Sequence, residues 1–225
     1  LLRIDIGTSA CKVAVFDRNG KVLAAASGDY PVYYPQEGWA EQNPEEWWDA
    51  VCRASKETIQ KADIKPDEIA GIGIDGQSWS AIAIDKEGKV LTNTPIWMDT
   101  RAQSICDRLN QEIGAEKIFD VAGNSLQPSY STAKILWYKE NLPEGYAKID
   151  KILQSNSYIA YKLTGVISQD VSQGYGLHCF DMKKACWDEE MCELLGIPME
   201  FLPEICDCDH VIGSVTAKAA AKCGL

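Results

Sequence analysis

The sequence predicts an α/β domain built on a mixed sheet. Apolar runs joined by a hairpin signal open the chain, and amphipathic helical stripes alternate with further apolar runs downstream. No Gly/Ser-rich linker divides the 225 residues, and 46% hydrophobic content is enough to fill a real core.

Leu2 to Ile6, Lys12 to Phe16 and Lys21 to Ala26 are three short apolar runs. Asn19-Gly20 sits between the last two and marks a tight turn, so the chain opens as an antiparallel meander. Phe16 to Leu23 is echoed in form by Ile84 to Leu91, which predicts a second hairpin of the same kind. Asn43-Pro44-Glu45-Glu46 starts a helix: Asn43 caps, Pro44 fits the first position, and Glu46 is placed to reach back to the cap backbone. Trp47, Ala50, Val51, Ala54 and Thr58 share one face of that helix, which should end before Pro66. Ile69 to Ile74 reads as a buried strand, and Ile82 to Ile84 as another. Ala102, Ile105, Leu109 and Ile113 form a helical stripe that stops at Gly114. Ala133, Leu136 and Trp137 form the next, closed by Pro143. Ser155 or Asn156 can cap a helix that Gly165 ends, and Asp188 to Leu195 is a short helix closed by Gly196. Ser214 to Leu225 reads as a last strand-helix unit.

Charge and cysteine usage narrow the function classes. The formal net charge of −11 lacks the basic face that nucleic acid requires and does not favour an anionic membrane. No apolar run approaches the ~20 residues of a membrane span, and no signal-peptide pattern opens the chain. The start at Leu1-Leu2-Arg3, without Met and inside a strand, leads us to expect a few native residues ahead of it. Nine scattered cysteines without a CxxC pair read as reduced thiols of a cytoplasmic protein. Only Cys206 and Cys208 are close-spaced, so no structural zinc is expected.

Four motifs place polar groups where chemistry is feasible. In Asp5-Ile6-Gly7-Thr8-Ser9-Ala10-Cys11-Lys12, an acid at a strand end precedes a turn rich in backbone N–H and hydroxyl groups. Such a turn can hold phosphate oxygens, the acid suits Mg²⁺, and Lys12 adds a cation. In Asp75-Gly76-Gln77-Ser78-Trp79-Ser80, hydrogen-bonding side chains and a flat indole crowd the end of a strand, where ligands bind in α/β sheets. In Trp97-Met98-Asp99-Thr100-Arg101, an aromatic precedes an acid-x-base pair at a helix start. In Ser168 to Gly176, Asp170 lies in a polar stretch with two glycines. Taken alone, each of the four also reads as an ordinary turn, cap or surface ion pair.

The order of these motifs resembles the FGGY carbohydrate kinases, which include xylulokinases, glycerol kinases, gluconokinases, ribulokinases and rhamnulokinases. The matching stretches are Asp5 to Lys12, Gly71 to Asp85, Pro95 to Arg101, Thr132 to Trp137, Leu163 to Gly165, and Asp170 through Trp187 to Gly196. They run over nearly all of the chain. The resemblance implies a ribonuclease-H-like domain of the actin/hexokinase type. Residues 1–225 would be the N-terminal sugar-binding domain, with the C-terminal ATP-binding domain of the same polypeptide as its partner. ATP and Mg²⁺ would be the cofactors and a small sugar the substrate, and a homodimer stays open as an assembly.

Residue by residue, the resemblance makes Asp170 the base that accepts the proton of the attacking hydroxyl. Asp5 would lie near Mg²⁺ and the transferred phosphoryl group, with Gly7, Thr8, Ser9 and Lys12 in the phosphate turn. Lys12 stands where the family often has Arg, which keeps the charge without the bidentate fork. Gln77, Ser78, Trp79, Trp97 and Asp99, together with Asp170, would form the sugar site. The Arg-Glu pair of glycerol kinases is missing at Ser78 and Trp79, which argues against glycerol. The Met-His pair of xylulokinases is missing there too. Gly76-Gln77, Thr132 to Trp137 and Phe180 to Trp187 are most similar to the xylulokinase branch, which implies a ketopentose such as D-xylulose. Gluconate, ribulose or another polyol is the alternative. A non-catalytic sugar sensor or an actin-like structural protein of the same fold are rivals from other classes. His178, His210, Trp47, Trp48 and Trp137 read as structural.

Overall fold

The computed structural model describes residues 1–225. Strands β1 (Leu2–Ile6), β2 (Ala10–Phe16) and β3 (Val22–Asp29) form the expected antiparallel meander. Asp17 shapes its turn: Oδ1 accepts the N–H groups of Asn19 and Lys21, and Gly20 takes φ +80°. After the short β4 (Glu41–Gln42), helix α1 (Pro44–Ala62) crosses one face of the sheet. Asn43 caps it by accepting the Glu45 N–H. Glu46 does not reach back to the cap; its carboxylate accepts the Tyr33 hydroxyl at 2.7 Å. Trp47, Ala50, Val51, Ala54 and Thr58 are all buried, and pack with Ile4, Ile6, Val13 and Val15 in one core.

The chain returns as β5 (Ile72–Gly76), parallel to β1, and the sheet order is β3-β2-β1-β5. This strand begins later than the sequence suggested, because Pro66–Glu68 forms a 3-10 turn. It is also half-exposed rather than buried, because it has a strand neighbour on one side only. The register pairs Asp5 with Asp75 and Ile6 with Gly76, so the C-terminal ends of two parallel strands lie side by side. In open α/β sheets that is where ligands bind.

β6 (Ile82–Ile84) divides two cores. Ile82 and Ile84 face the sheet core, while Ala81 and Ala83 face a second, helical core, as strand alternation requires. Asp85 repeats the Asp17 turn, accepting from the N–H groups of Glu87 and Lys89 with Gly88 at φ +76°. The return arm of this second hairpin shrinks to one bridge, Ile84 to Val90, because β6 pairs instead with β8 (Lys151–Leu153). β7 (Thr94–Pro95) pairs with β4.

The second core is built from helices. The stripe starting at Ala102 gives α2 (Gln103–Leu109), and a π turn over 110–114 carries the chain into α3 (Ala115–Ala122). Gly114, at φ +96° and ψ 125°, leaves the helical conformation as the sequence predicts, and α3 starts directly after it. α4 (Ser131–Asn141), α5 (Pro143–Tyr146) and α6 (Ser155–Thr164) follow, the last ended by Gly165 in the left-handed region. β9 (Ser168–Asp170) leads into α7 (Val171–Gly174). The hairpin of β10 (Phe180–Asp181) and β11 (Cys186–Trp187) and the Asp188-capped α8 (Glu189–Leu195) come next. β12 (Glu204–Cys206) pairs parallel to β9, and α9 (Ala217–Cys223) closes the chain. The strand expected ahead of α9 makes no ladder. No helix is long and apolar enough to cross a membrane.

Candidate functional site

The turn after β1 leaves backbone donors unused. Gly7 N–H closes it on the Ala10 carbonyl at 3.1 Å. A Cβ on Gly7 would lie 2.9 Å from that same oxygen, so the turn needs glycine. The amides of Thr8 and Ser9 find no acceptor within the chain, which leaves two adjacent N–H donors for phosphate oxygens. Asp5 stands two residues before Gly7, 30% exposed, with the Arg3 guanidinium 4.0 Å away. Lys12 is its register partner across β1 and β2. Asp5, Gly7, Thr8, Ser9 and Lys12 are thus gathered around one turn. The partly exposed Asp5 carboxylate is a hard oxygen donor that fits Mg²⁺.

The loop after β5 is tied directly to that turn. Gln77 N–H donates to the Ile6 carbonyl at 2.8 Å, extending the β1–β5 ladder. Its side-chain amide donates to Gln42 Oε1 at 2.8 Å, and Gln42 Nε2 donates to the Thr8 carbonyl at 2.8 Å. Ser155 Oγ fixes the Gln77 carbonyl at 2.7 Å. Trp97 Nε1 donates to Thr8 Oγ1 at 3.0 Å, so Trp97 belongs to the same assembly while its ring stays 42% exposed. Gln42 is fully buried, and the sequence alone leaves the segment ending in Glu41-Gln42 as structural. Its only signal there is a glutamine beside the start of α1.

Trp79 supplies an aromatic wall. It takes φ +69°, a left-handed conformation that is rare for a bulky residue and marks a strained site. Its ring stacks on Tyr130 at 4.4 Å and meets Tyr175 edge-on at 6.2 Å. The Tyr175 hydroxyl lies 3.4 Å from Ser78 Oγ. Gly176 leaves no room for a side chain, since a Cβ would come within 2.8 Å of Gln154 Nε2 and 3.2 Å of Trp79 Cδ1. Around this wall several buried polar atoms have no partner: Gln77 Oε1, Trp79 Nε1, Gln154 Oε1 and Gln173 Oε1. Buried polar groups are rarely left bare, and a cluster of them beside a half-buried indole suits a hydroxyl-rich ligand. Tyr130 and Gln154 escaped the sequence reading because neither stands in a motif, and Gln173 and Tyr175 because Asp170 alone was singled out in the Ser168 to Gly176 stretch.

Asp99 makes none of its hydrogen bonds with Gln77, Ser78, Trp79 or Trp97. Its side chain has no exposed surface and is fully engaged: Oδ2 accepts the Ala40 N–H at 2.7 Å, and both oxygens take the Arg101 Nε–H. Arg101 also bridges to Glu41 at 2.8 Å and lies 3.8 Å over the Trp39 ring and 4.9 Å from Trp137. This buried ion network pins the segment that carries Trp97. The ion-pair reading of the motif is therefore the structural one, while the cap is not formed: Ala102 stands at the N-cap of α2.

Asp170 caps α7. Oδ1 accepts from Gln173 N–H at 3.1 Å and from Ser172 Oγ at 2.9 Å, and Oδ2 accepts from Asn156 Nδ2 at 2.8 Å. It lines a cavity of about 190 Å³ with Asp75, on the β5 side of the site. The turn it caps delivers Gln173, which donates to the Gly76 carbonyl, and then Tyr175 and Gly176 to the aromatic wall.

The whole of residues 1–225 matches the model of the FGGY family of carbohydrate kinases, N-terminal domain. The chain is 31% identical to the xylulose kinase of Bacillus subtilis over all of its length, which is 45% of that relative. It is 34% identical to the glycerol kinase of Thermococcus kodakarensis over 217 residues, 95% of this chain and 44% of the relative. Among solved structures, a gluconate kinase from Lactobacillus acidophilus superposes with TM-score 0.92 at 30% identity, covering all of this chain and 46% of that one. The chain thus spans under half the length of these relatives. The mixed sheet and its structural neighbours establish the ribonuclease-H-like, actin/hexokinase-type fold. Matched from end to end by one family model, with an amide-lined turn and a polar, aromatic-edged loop at neighbouring strand ends, this chain belongs to the FGGY carbohydrate kinases.

Proposed function

We propose that this chain is the sugar-binding half of an ATP-dependent kinase that phosphorylates a terminal hydroxyl of a neutral sugar, a ketopentose such as D-xylulose being the first choice. The observation that carries this reading is the Thr8–Gln42–Gln77 link, which joins a turn with two free amides to a loop edged by aromatic rings and bare polar atoms. In this reading, Thr8 and Ser9 amides hold the phosphoryl oxygens and Lys12 offsets their charge. Mg²⁺, carried in with ATP and held at Asp5, would supply charge neutralisation. Gln77, Ser78, Trp79 and Trp97 orient the sugar. The remaining length of the full protein would carry the adenine and ribose pocket.

A neutral sugar is favoured over a sugar acid by the charges near the loop. The two basic side chains there are both engaged, Lys134 on backbone carbonyls and Arg101 in its carboxylate network. Three of the bare polar atoms are amide oxygens, which seek O–H donors and repel a carboxylate. Sequence identity does not choose among sugars, because xylulose, glycerol and gluconate kinases are similarly distant.

The test is ADP release by the full-length protein with Mg-ATP and a panel of ketopentoses, aldoses, polyols and sugar acids. Stimulation by a ketopentose supports the reading, and stimulation by gluconate alone sinks the neutral-sugar choice. Sugar binding without ADP release would identify a sensor. Asp170→Asn separates two roles for that residue. As the base, its loss removes turnover while leaving sugar binding intact. We favour the cap: three donors already occupy the carboxylate, so a sugar hydroxyl must compete for what remains. The expected outcome is then a less than hundredfold fall in kcat, with destabilisation of about 1 kcal/mol.

A further inference from the structure

Lys134 on α4 is fully buried, which is rare for a lysine. Its amine donates to two backbone carbonyls, Trp79 at 2.6 Å and Ser129 at 2.6 Å. These belong to two different loops, one following β5 and one preceding α4. Each loop carries one ring of the stacked Trp79–Tyr130 pair. Trp79 is also the residue held in the left-handed region, and strain of that kind persists only where surrounding contacts enforce it. Burial pushes the Lys134 amine down to about 7, with the nearby Asp99 opposing the shift and Arg101 adding to it. A neutral amine has two N–H groups, and the slot offers two carbonyls.

We propose that Lys134 is the positioning residue of the sugar site: by clamping the Trp79 and Ser129 carbonyls it holds the Trp79 and Tyr130 rings in the stacked arrangement that receives the sugar. Lys134 touches no substrate. It fixes the backbone of a residue that does, so the inference rests on Trp79 being a sugar-binding wall.

Removing the amine leaves two carbonyls facing an apolar chain and releases the strained loop. Lys134→Met matches the volume and deletes the donors. The expected result in the full-length protein is a sugar KM raised about tenfold or more, with the ATP KM unchanged and kcat within about threefold. The near-ultraviolet circular dichroism of the stacked rings should weaken in parallel. The deciding measurement is a cycle with Trp79→Ala. If Lys134 acts through Trp79, Lys134→Met adds little to the sugar KM once Trp79 is gone. If Lys134→Met does not fold, Lys134→Gln, which keeps an amide donor, takes its place in the same cycle.

An unchanged sugar KM in the lysine variant, with a raised one in Trp79→Ala, overturns the clamp. So does a fully additive cycle, or an equal rise in both KM values. An unchanged sugar KM in Trp79→Ala overturns the aromatic wall itself.

Discussion

Burial pushes the His178 imidazole down from its ordinary 6.5 to about 4. The hydroxyl of Thr132 accepts the His178 backbone N–H and lies 3.0 Å from Nδ1, where its own proton is free to turn toward the ring. That contact suits a neutral ring protonated on Nε2. Between pH 6.5 and about 4 the unfolded chain binds a proton that the folded chain refuses, so stability falls as pH drops through this window. The penalty is on the order of 3 kcal/mol at its acid end. His178→Gln should flatten the dependence of the urea midpoint between pH 7 and 4; an unaltered slope would show that other groups govern acid unfolding. Asp99 presents the opposite case, a buried charge that keeps its partners. Asp99→Asn leaves Arg101, only 3% exposed, with Glu41 as its remaining carboxylate. Breaking a buried pair in this way costs about 3–5 kcal/mol, so calorimetry should show a large fall in melting temperature. A selective rise in sugar KM at full stability would return Asp99 to the binding site.

At the level of elements, the site depends on two loops being held together. Gln42 joins the turn after β1 to the loop after β5, and Trp97 touches only the first of them. Gln42→Ala should therefore raise both the ATP and the sugar KM and lower stability by about 1–3 kcal/mol, since it strands a buried Gln77 amide. Trp97→Phe removes one hydrogen bond to Thr8, and a change of a few-fold in ATP KM is expected. Steady-state kinetics on both substrates separate the two patterns. The elements themselves were largely legible, because hairpin turns, caps and helical stripes are local. Asp17-Arg18-Asn19-Gly20 closes its own turn with its own carboxylate, and Asn43 caps its own helix. The misreadings lie where a distant contact decides. Tyr33 captures Glu46, and β8 replaces the hairpin's return arm as the partner of β6.

For the whole molecule, the expected consequence of a chain that covers 45% of a Bacillus kinase is divided labour. Residues 1–225 alone should bind sugar weakly in titration calorimetry and release no ADP, whereas the full-length protein should do both. Turnover by the isolated chain would place the entire catalytic apparatus within it. Composition, turn chemistry and motif order were sufficient for the α/β class and the family, and they pointed to the turn from Asp5 to Lys12, to Gln77 and to Trp97, which the fold links by hydrogen bonds. These are properties of short stretches, in which backbone preference and side-chain chemistry act together. Tertiary structure alone brought Gln42, Tyr130 and Lys134 to the site and buried Asp99. Each of those outcomes depends on partners tens of residues away or on a buried dielectric, and neither is encoded in the neighbours of the residue itself.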